Sequence, residues 1–195
     1  MSTSVDEFAA SLASLPPSAG DTILVGVDGF SGAGKTALSE ALGRRDGLQV
    51  VSIEEFYLGW DGLAQGPKRA VDGLVEPLRS RRSPRWRSWD WEHDREGAEA
   101  ERPLPGPVVV LEGCGAGARV LRTHQALTVW VDAAPQERER RLREREDWPL
   151  YAPHREAWQR REHALALQEG LPDAADALVR YHPDGGLDIR PSPRG

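Results

Sequence analysis

Short apolar runs alternate with amphipathic stretches along most of the chain, and their spacing predicts the elements. Val5, Phe8, Ala9, Leu12 and Leu15 recur at helical spacing, and Pro16-Pro17 ends that face. Ile23-Leu24-Val25-Gly26-Val27 is the centre of a first core strand over residues 22–28. A second strand is predicted over residues 47–53. A third, over 107–112, is apolar enough to be buried on both faces. A fourth is predicted over residues 126–132 and a short fifth over 176–180. Helical patterns fill 35–44, 135–145 and 154–169 between them. Strands alternating with helices predict a parallel sheet covered by helices on both faces. No internal repeat interrupts this rhythm. The segment 59–106 departs from it: rich in Trp, Arg and acids and poor in strand pattern, it reads as an insert leaving the second strand and returning at the third. The end, residues 183–195, with Pro183, Gly185, Gly186, Pro191 and Pro193, reads as loop and then a flexible tail.

Composition narrows this picture. At 195 residues, 39% hydrophobic and 29% charged, the chain is expected to be one globular domain, 1–195, with a sizeable core. No run reaches the length of a membrane span, and residues 1–15 carry acids and no basic residue, so no secretory signal and no membrane partner are expected. Cys114 is the single cysteine, so no internal disulfide can form and a cytoplasmic home is expected. A net charge of −6 argues against nucleic acid as partner.

The sharpest signal lies directly after the first strand. Gly29-Phe30-Ser31-Gly32-Ala33-Gly34-Lys35-Thr36 fits the phosphate-binding pattern Gly-x-x-x-x-Gly-Lys-Ser/Thr at every fixed position, with a helix following. Glycines let the backbone curl so that successive N–H groups face one phosphate, and the helix N-terminus adds partial positive charge. Lys35 is one of only two lysines. It would reach the β- and γ-phosphates of ATP, and the Thr36 hydroxyl would bind Mg²⁺.

Phosphoryl transfer further needs a carboxylate near the nucleophile, hard oxygen ligands for the cation, and positive charge over the transferring group. Glu54 and Glu55 follow the second strand, where a carboxylate either enters the ligand crevice or is simply solvated. Glu112 closes the buried third strand, as a cation ligand or as a charge leaving the core. Arg138, Arg140, Arg141, Arg143 and Arg145 crowd the helix after the fourth strand, with Arg141 and Arg145 on one face. They form either a lid over phosphates within residues 137–153 or, with the interleaved glutamates, a solvated salt-bridged helix. In the insert, Trp86, Trp89, Asp90, Trp91 and His93 offer stacking faces for a flat acceptor or the core of a small subdomain.

Together, residues 25–36, Glu54-Glu55-Phe56-Tyr57 and Leu111-Glu112-Gly113 resemble the uridine kinase and phosphoribulokinase group of P-loop kinases. The resemblance implies a P-loop NTPase three-layer α/β sandwich with a five-stranded parallel sheet, in the order 2-3-1-4-5 counted along the chain. It implies Mg-ATP as donor; a homo-oligomer is one possibility that the sequence leaves open. Glu54 stands where the group has an aspartate acting as general base and metal partner. Glu112 matches a second Mg²⁺ partner, and Arg141 and Arg145 fall at the lid arginines. Trp89-Asp90-Trp91 is similar to the group's Tyr-Asp-Phe segment near the acceptor. His93 sits one position before the group's histidine. Tyr57 and Asp61 complete the expected acceptor residues, and Trp60-Asp61-Gly62-Leu63 points to small uridine-kinase-like proteins.

Three functions compete. The first is a Mg-ATP-dependent kinase of a small hydroxyl compound, with a nucleoside foremost. The second is a kinase of another metabolite, a sugar phosphate or a pantothenate-like alcohol. The third is a nucleotide-binding regulator without an acceptor. A GTPase is excluded: its guanine-reading Asn-Lys-x-Asp cannot occur in a chain without asparagine.

Overall fold

A computed structural model describes residues 2–104, 106–182, 184 and 186–192. The chain opens with β1 (Ser2–Ser4), which runs directly into α1 (Val5–Ala13). Ser4 and Glu7 build a capping box there: the Ser4 hydroxyl accepts from the Glu7 N–H at 3.1 Å, and the Glu7 carboxylate accepts from the Ser4 N–H at 2.8 Å. β2 (Ile23–Asp28) leads through the phosphate loop into α2 (Lys35–Gly43), and β3 (Leu48–Ser52) follows. A 3-10 turn, Ile53–Phe56, leaves the end of β3.

The insert begins with a 3-10 turn, Gly59–Asp61, followed by α3 (Gly66–Ala70), a π-helical turn Val71–Val75 and α4 (Glu76–Arg79). It then forms a hairpin of β4 (Arg85–Asp90) and β5 (Arg95–Glu101). The frame resumes with β6 (Val108–Glu112), α5 (Arg119–Arg122), β7 (Leu127–Val131), α6 (Pro135–Arg143) and α7 (Trp148–Tyr151). It ends with α8 (Arg155–Glu169), β8 (Ala177–Tyr181) and β9 (Gly186–Pro191).

The main sheet has seven strands in the order β1-β9-β8-β7-β2-β6-β3, rather than the five expected. β3, β6, β2, β7 and β8 are parallel neighbours, and β9 and β1 extend the β8 edge in antiparallel fashion. The part of the expected tail at 186–191 is therefore ordered structure. Leu187 is fully buried in it, while residues 183, 185 and 193–195 lie outside the described residues. The insert likewise holds a two-stranded sheet where little strand pattern was expected.

Every residue of β2 and β6 is buried, as central parallel strands require. Alternate side chains serve two different cores. Ile23, Val25, Val27, Val108 and Val110 pack with α1 and α2 through Phe8, Leu12, Leu38 and Leu42. Leu24, Val109 and Leu111 pack on the other face with Leu74, Leu121, Trp158 and Leu165. Helices on both faces of one sheet make three layers, and the period-2 alternation of the strands is what separates the two cores. The parallel strands all end on the side where the loops after β2, β3 and β6 converge, and this side carries the site.

Candidate active site

The loop after β2 is shaped by glycine. Gly32 (φ +77°) and Gly34 (φ +104°) adopt backbone angles that side chains disfavour. At Gly32 the space is also closed: a Cβ would sit 2.5 Å from the backbone oxygen of Arg138. The first turns of α6 therefore rest directly on the loop. Lys35 starts α2 and is only 8% exposed; its Nζ donates to the Phe30 carbonyl at 3.1 Å and lies 3.6 Å from the Cys114 sulfur. Burial opposes the ammonium charge, but the surrounding groups, Cys114, Glu112, Glu162 and Asp28, outweigh it and raise the Lys35 pKa above the ordinary lysine value. Thr36 is exposed on the first turn of α2.

Asp28, at the end of β2, is buried and accepts from the N–H groups of Gly29, Gly115 and Gly117 at 2.6, 3.1 and 2.8 Å. It thereby fastens the loop after β6 to the loop after β2. Burial raises its pKa, and these N–H groups oppose that.

Glu112 pairs in register with Ser52 across β6 and β3. It is 7% exposed, and its Oε2 has no hydrogen-bond partner among the described residues. Burial raises its pKa, Lys35 pulls it back, and Glu54 and Glu40 add to the rise. An unpartnered buried carboxylate oxygen between a lysine and two further acids suits a hard cation. No three His, Cys, Asp or Glu converge as a metal cage among the described residues. Mg²⁺ needs none where phosphate oxygens and water complete its shell.

Next to the loop lies a cavity of about 200 Å³, lined by Ser31, Glu54, Trp60, Trp91, Arg145 and Trp158 among others. The rings of Trp60 and Trp91 are 5.0 Å apart at 63°, and Trp60 meets Trp158 at 5.9 Å and 89°. Arg145 reaches the wall but donates to Asp147 at 2.7 Å. Burial opposes the Arg145 charge and Asp147 more than restores it. Tyr57 also lines the cavity, with its hydroxyl committed to the Cys114 carbonyl at 2.6 Å.

The structure thus gathers Ser31, Glu54, Tyr57 and Arg145 around one space, with Lys35 and Thr36 at the start of α2 and Glu112 at the end of β6. Other expected acceptor residues lie elsewhere. Asp61 pairs with Arg161. Asp90 is engaged with His93, through its backbone N–H at 3.2 Å and its ring at 2.9 Å, in the tip of the hairpin. Trp89 lies over Gly59, where a Cβ would come within 3.3 Å of the indole. None of these four lines the cavity. Arg141 turns to the loop itself and donates to the Ala33 carbonyl at 3.0 Å. Glu55 binds the hairpin, accepting from Trp86 Nε1 and Ser88 Oγ at 3.0 Å each.

Residues not singled out in the sequence also enter the site. Glu162 of α8 accepts from the N–H and hydroxyl of Ser31, and Trp158 donates to that hydroxyl. Phe30 stacks on His163 at 4.2 Å and 16°, with Arg138 over the ring at 4.8 Å. The one available signal was the i, i+4 spacing of Trp158 and Glu162. In a helix dense with charge, that spacing is common.

No family model matches the sequence, and no curated protein matches it. Among solved structures, the fold is similar to a protein from Bacillus stearothermophilus described as a possible uridine kinase. The TM-score is 0.64 at 16% identity, over 89% of this chain and 96% of that one. It is also similar to a protein from Silicibacter sp. TM1040 described provisionally as a fructose transport system kinase. There the TM-score is 0.52 at 19% identity, over 86% of this chain and 92% of that one. The chain has the α/β fold of these two structures.

Proposed function

We propose that this chain is a small-molecule kinase that moves the γ-phosphate of Mg-ATP to a hydroxyl of an acceptor held in the aromatic cavity, with a nucleoside such as uridine or cytidine the first candidate. One observation carries the reading: a single cavity is lined by both Ser31 of the phosphate loop and Glu54. A hydroxyl in that space lies between a donor loop and a base.

In this scheme the loop amides and Lys35 hold the donor phosphates. Mg²⁺, when bound, neutralises phosphate charge, and Thr36 and Glu112, with Glu54 nearby, are the residues that would hold it. Glu54 accepts the proton of the acceptor hydroxyl. Arg145 offsets charge on the transferring group, and Arg141 braces the loop from outside. The indoles of Trp60, Trp91 and Trp158 exclude water and offer faces to a flat ring.

The wall also bears on acceptor charge. Its one arginine, Arg145, serves the transferring group and stands beside two acids, Glu54 and Asp147, so a phosphorylated acceptor finds no second cation among the residues lining the cavity. This favours an uncharged alcohol over a sugar phosphate.

The test is a screen of nucleosides, sugars and sugar phosphates for phosphate uptake from labelled ATP. Label on a nucleoside is the expected result. Binding of Mg-ATP with no acceptor labelled would leave a nucleotide-binding regulator instead. For the active pair, Glu54→Gln is expected to lower kcat by about 10²–10⁴-fold; near-normal turnover would remove Glu54 from the base role.

A further inference from the structure

One buried charge takes no part in the transfer scheme. Glu162, in the middle of α8, is 4% exposed. Its Oε2 accepts from the Ser31 N–H at 2.9 Å and the Ser31 hydroxyl at 2.8 Å, with the Cys114 thiol at 3.4 Å. Its Oε1 faces Arg138 at 3.8 Å. Trp158, one turn earlier on the same face, donates its indole N–H to the Ser31 hydroxyl at 3.2 Å. His163 covers the ring of Phe30. One face of α8 therefore grips two consecutive residues of the phosphate loop.

Bonds from an N–H and a hydroxyl to a carboxylate are about twice as strong as their neutral counterparts. A buried carboxylate without them would be strongly unfavourable, so Glu162 and Ser31 each fix the other. Ser31 also stands on the acceptor cavity wall, as does the ring of Trp158. The same hydroxyl thus touches the loop that takes the donor and the wall that takes the acceptor.

We propose that Glu162 is a positioning residue for the phosphate loop: it sets the direction of Ser31 before nucleotide arrives, and Trp158 ties that setting to the acceptor cavity. The nucleotide part of this inference rests on the kinase reading. The hold on Ser31 does not.

The experiment has two arms, run on the whole chain as wild type, Glu162→Gln, Glu162→Ala and Trp158→Phe. Hydrogen exchange across residues 29–37 is followed without nucleotide, and Mg-ATP binding is measured by calorimetry. In Glu162→Ala the Ser31 amide is expected to exchange about tenfold faster or more, and Mg-ATP to bind about tenfold more weakly, the effect of losing a charge-assisted bond. Glu162→Gln keeps shape and a neutral acceptor and falls between, so it carries the test if Glu162→Ala does not fold. Trp158→Phe keeps a ring on the wall but loses the N–H, and Mg-ATP binding weakens by about threefold. Unchanged Ser31 exchange in the Glu162 variants overturns the inference, whatever the nucleotide does. Faster exchange with unaltered Mg-ATP affinity also overturns it, because the hold would then set nothing the donor feels. A wild-type chain that takes up no Mg-ATP overturns the kinase reading instead.

Discussion

Glu112 shows what burial costs a single carboxylate. Burial raises its folded pKa above the value of an unfolded glutamate. Between those two values the folded state binds more protons than the unfolded one, so stability falls as pH rises through that window. The penalty is complete above the raised pKa and absent below the unfolded value near about 4.3. Glu112→Gln is therefore expected to melt higher than wild type at pH 7–8, with the gain vanishing toward pH 4, while Mg²⁺-dependent nucleotide binding weakens. Melting curves across that range, with titrations of Mg-ATP beside them, check both halves. Lys35 and Glu112 were legible in the sequence because their positions follow from the backbone: a loop and a strand end fix where they stand. Asp61, Asp90 and His93 were not, because short polar side chains on turns find partners that spacing does not reveal. Glu162 was hidden for the opposite reason, a buried charge in a helix dense with more exposed ones.

At the scale of elements, the hairpin of the insert has a polar tether to the frame. Glu55, on the turn after β3, holds the hairpin through Trp86 and Ser88. Glu55→Ala leaves the buried Trp86 indole N–H without its acceptor and is expected to destabilise the chain by about 1–3 kcal/mol. The loss should appear first as faster hydrogen exchange and proteolysis across residues 85–101, and equal protection in the variant would count against the tether. The hairpin escaped the sequence pattern because its register shifts between Arg87 and Trp89, which breaks the alternation on β4, and because β5 is nearly all charge and alanine. Helices α1, α2, α6 and α8 were legible to within about two residues at either end, the ordinary scatter of helix boundaries, since caps, prolines and apolar spacing agree there.

For the whole molecule, the parallel strands carry the site and the antiparallel pair at the far edge carries stability. β9 shields β8 and contributes Leu187, fully buried beside Val5 and Val179. A chain ending at His182 should lose at least about 3 kcal/mol, from that side chain and the strand's hydrogen bonds. Denaturant titration measures the loss, and an unchanged midpoint would show β9 to be dispensable. The sequence signal for β9 was present in Leu187 and Ile189 but masked by flanking glycine and proline, which read as loop. The single cysteine, Cys114, has a consequence of its own. It lies beneath the phosphate loop, is buried, and has its thiol pKa pushed well up by that burial. A thiol-directed dye should thus label the native chain only as fast as the loop and α8 part. Its slow colour change becomes a built-in clock for breathing around that loop, one that magnesium and nucleotide together should slow further if the proposed function holds.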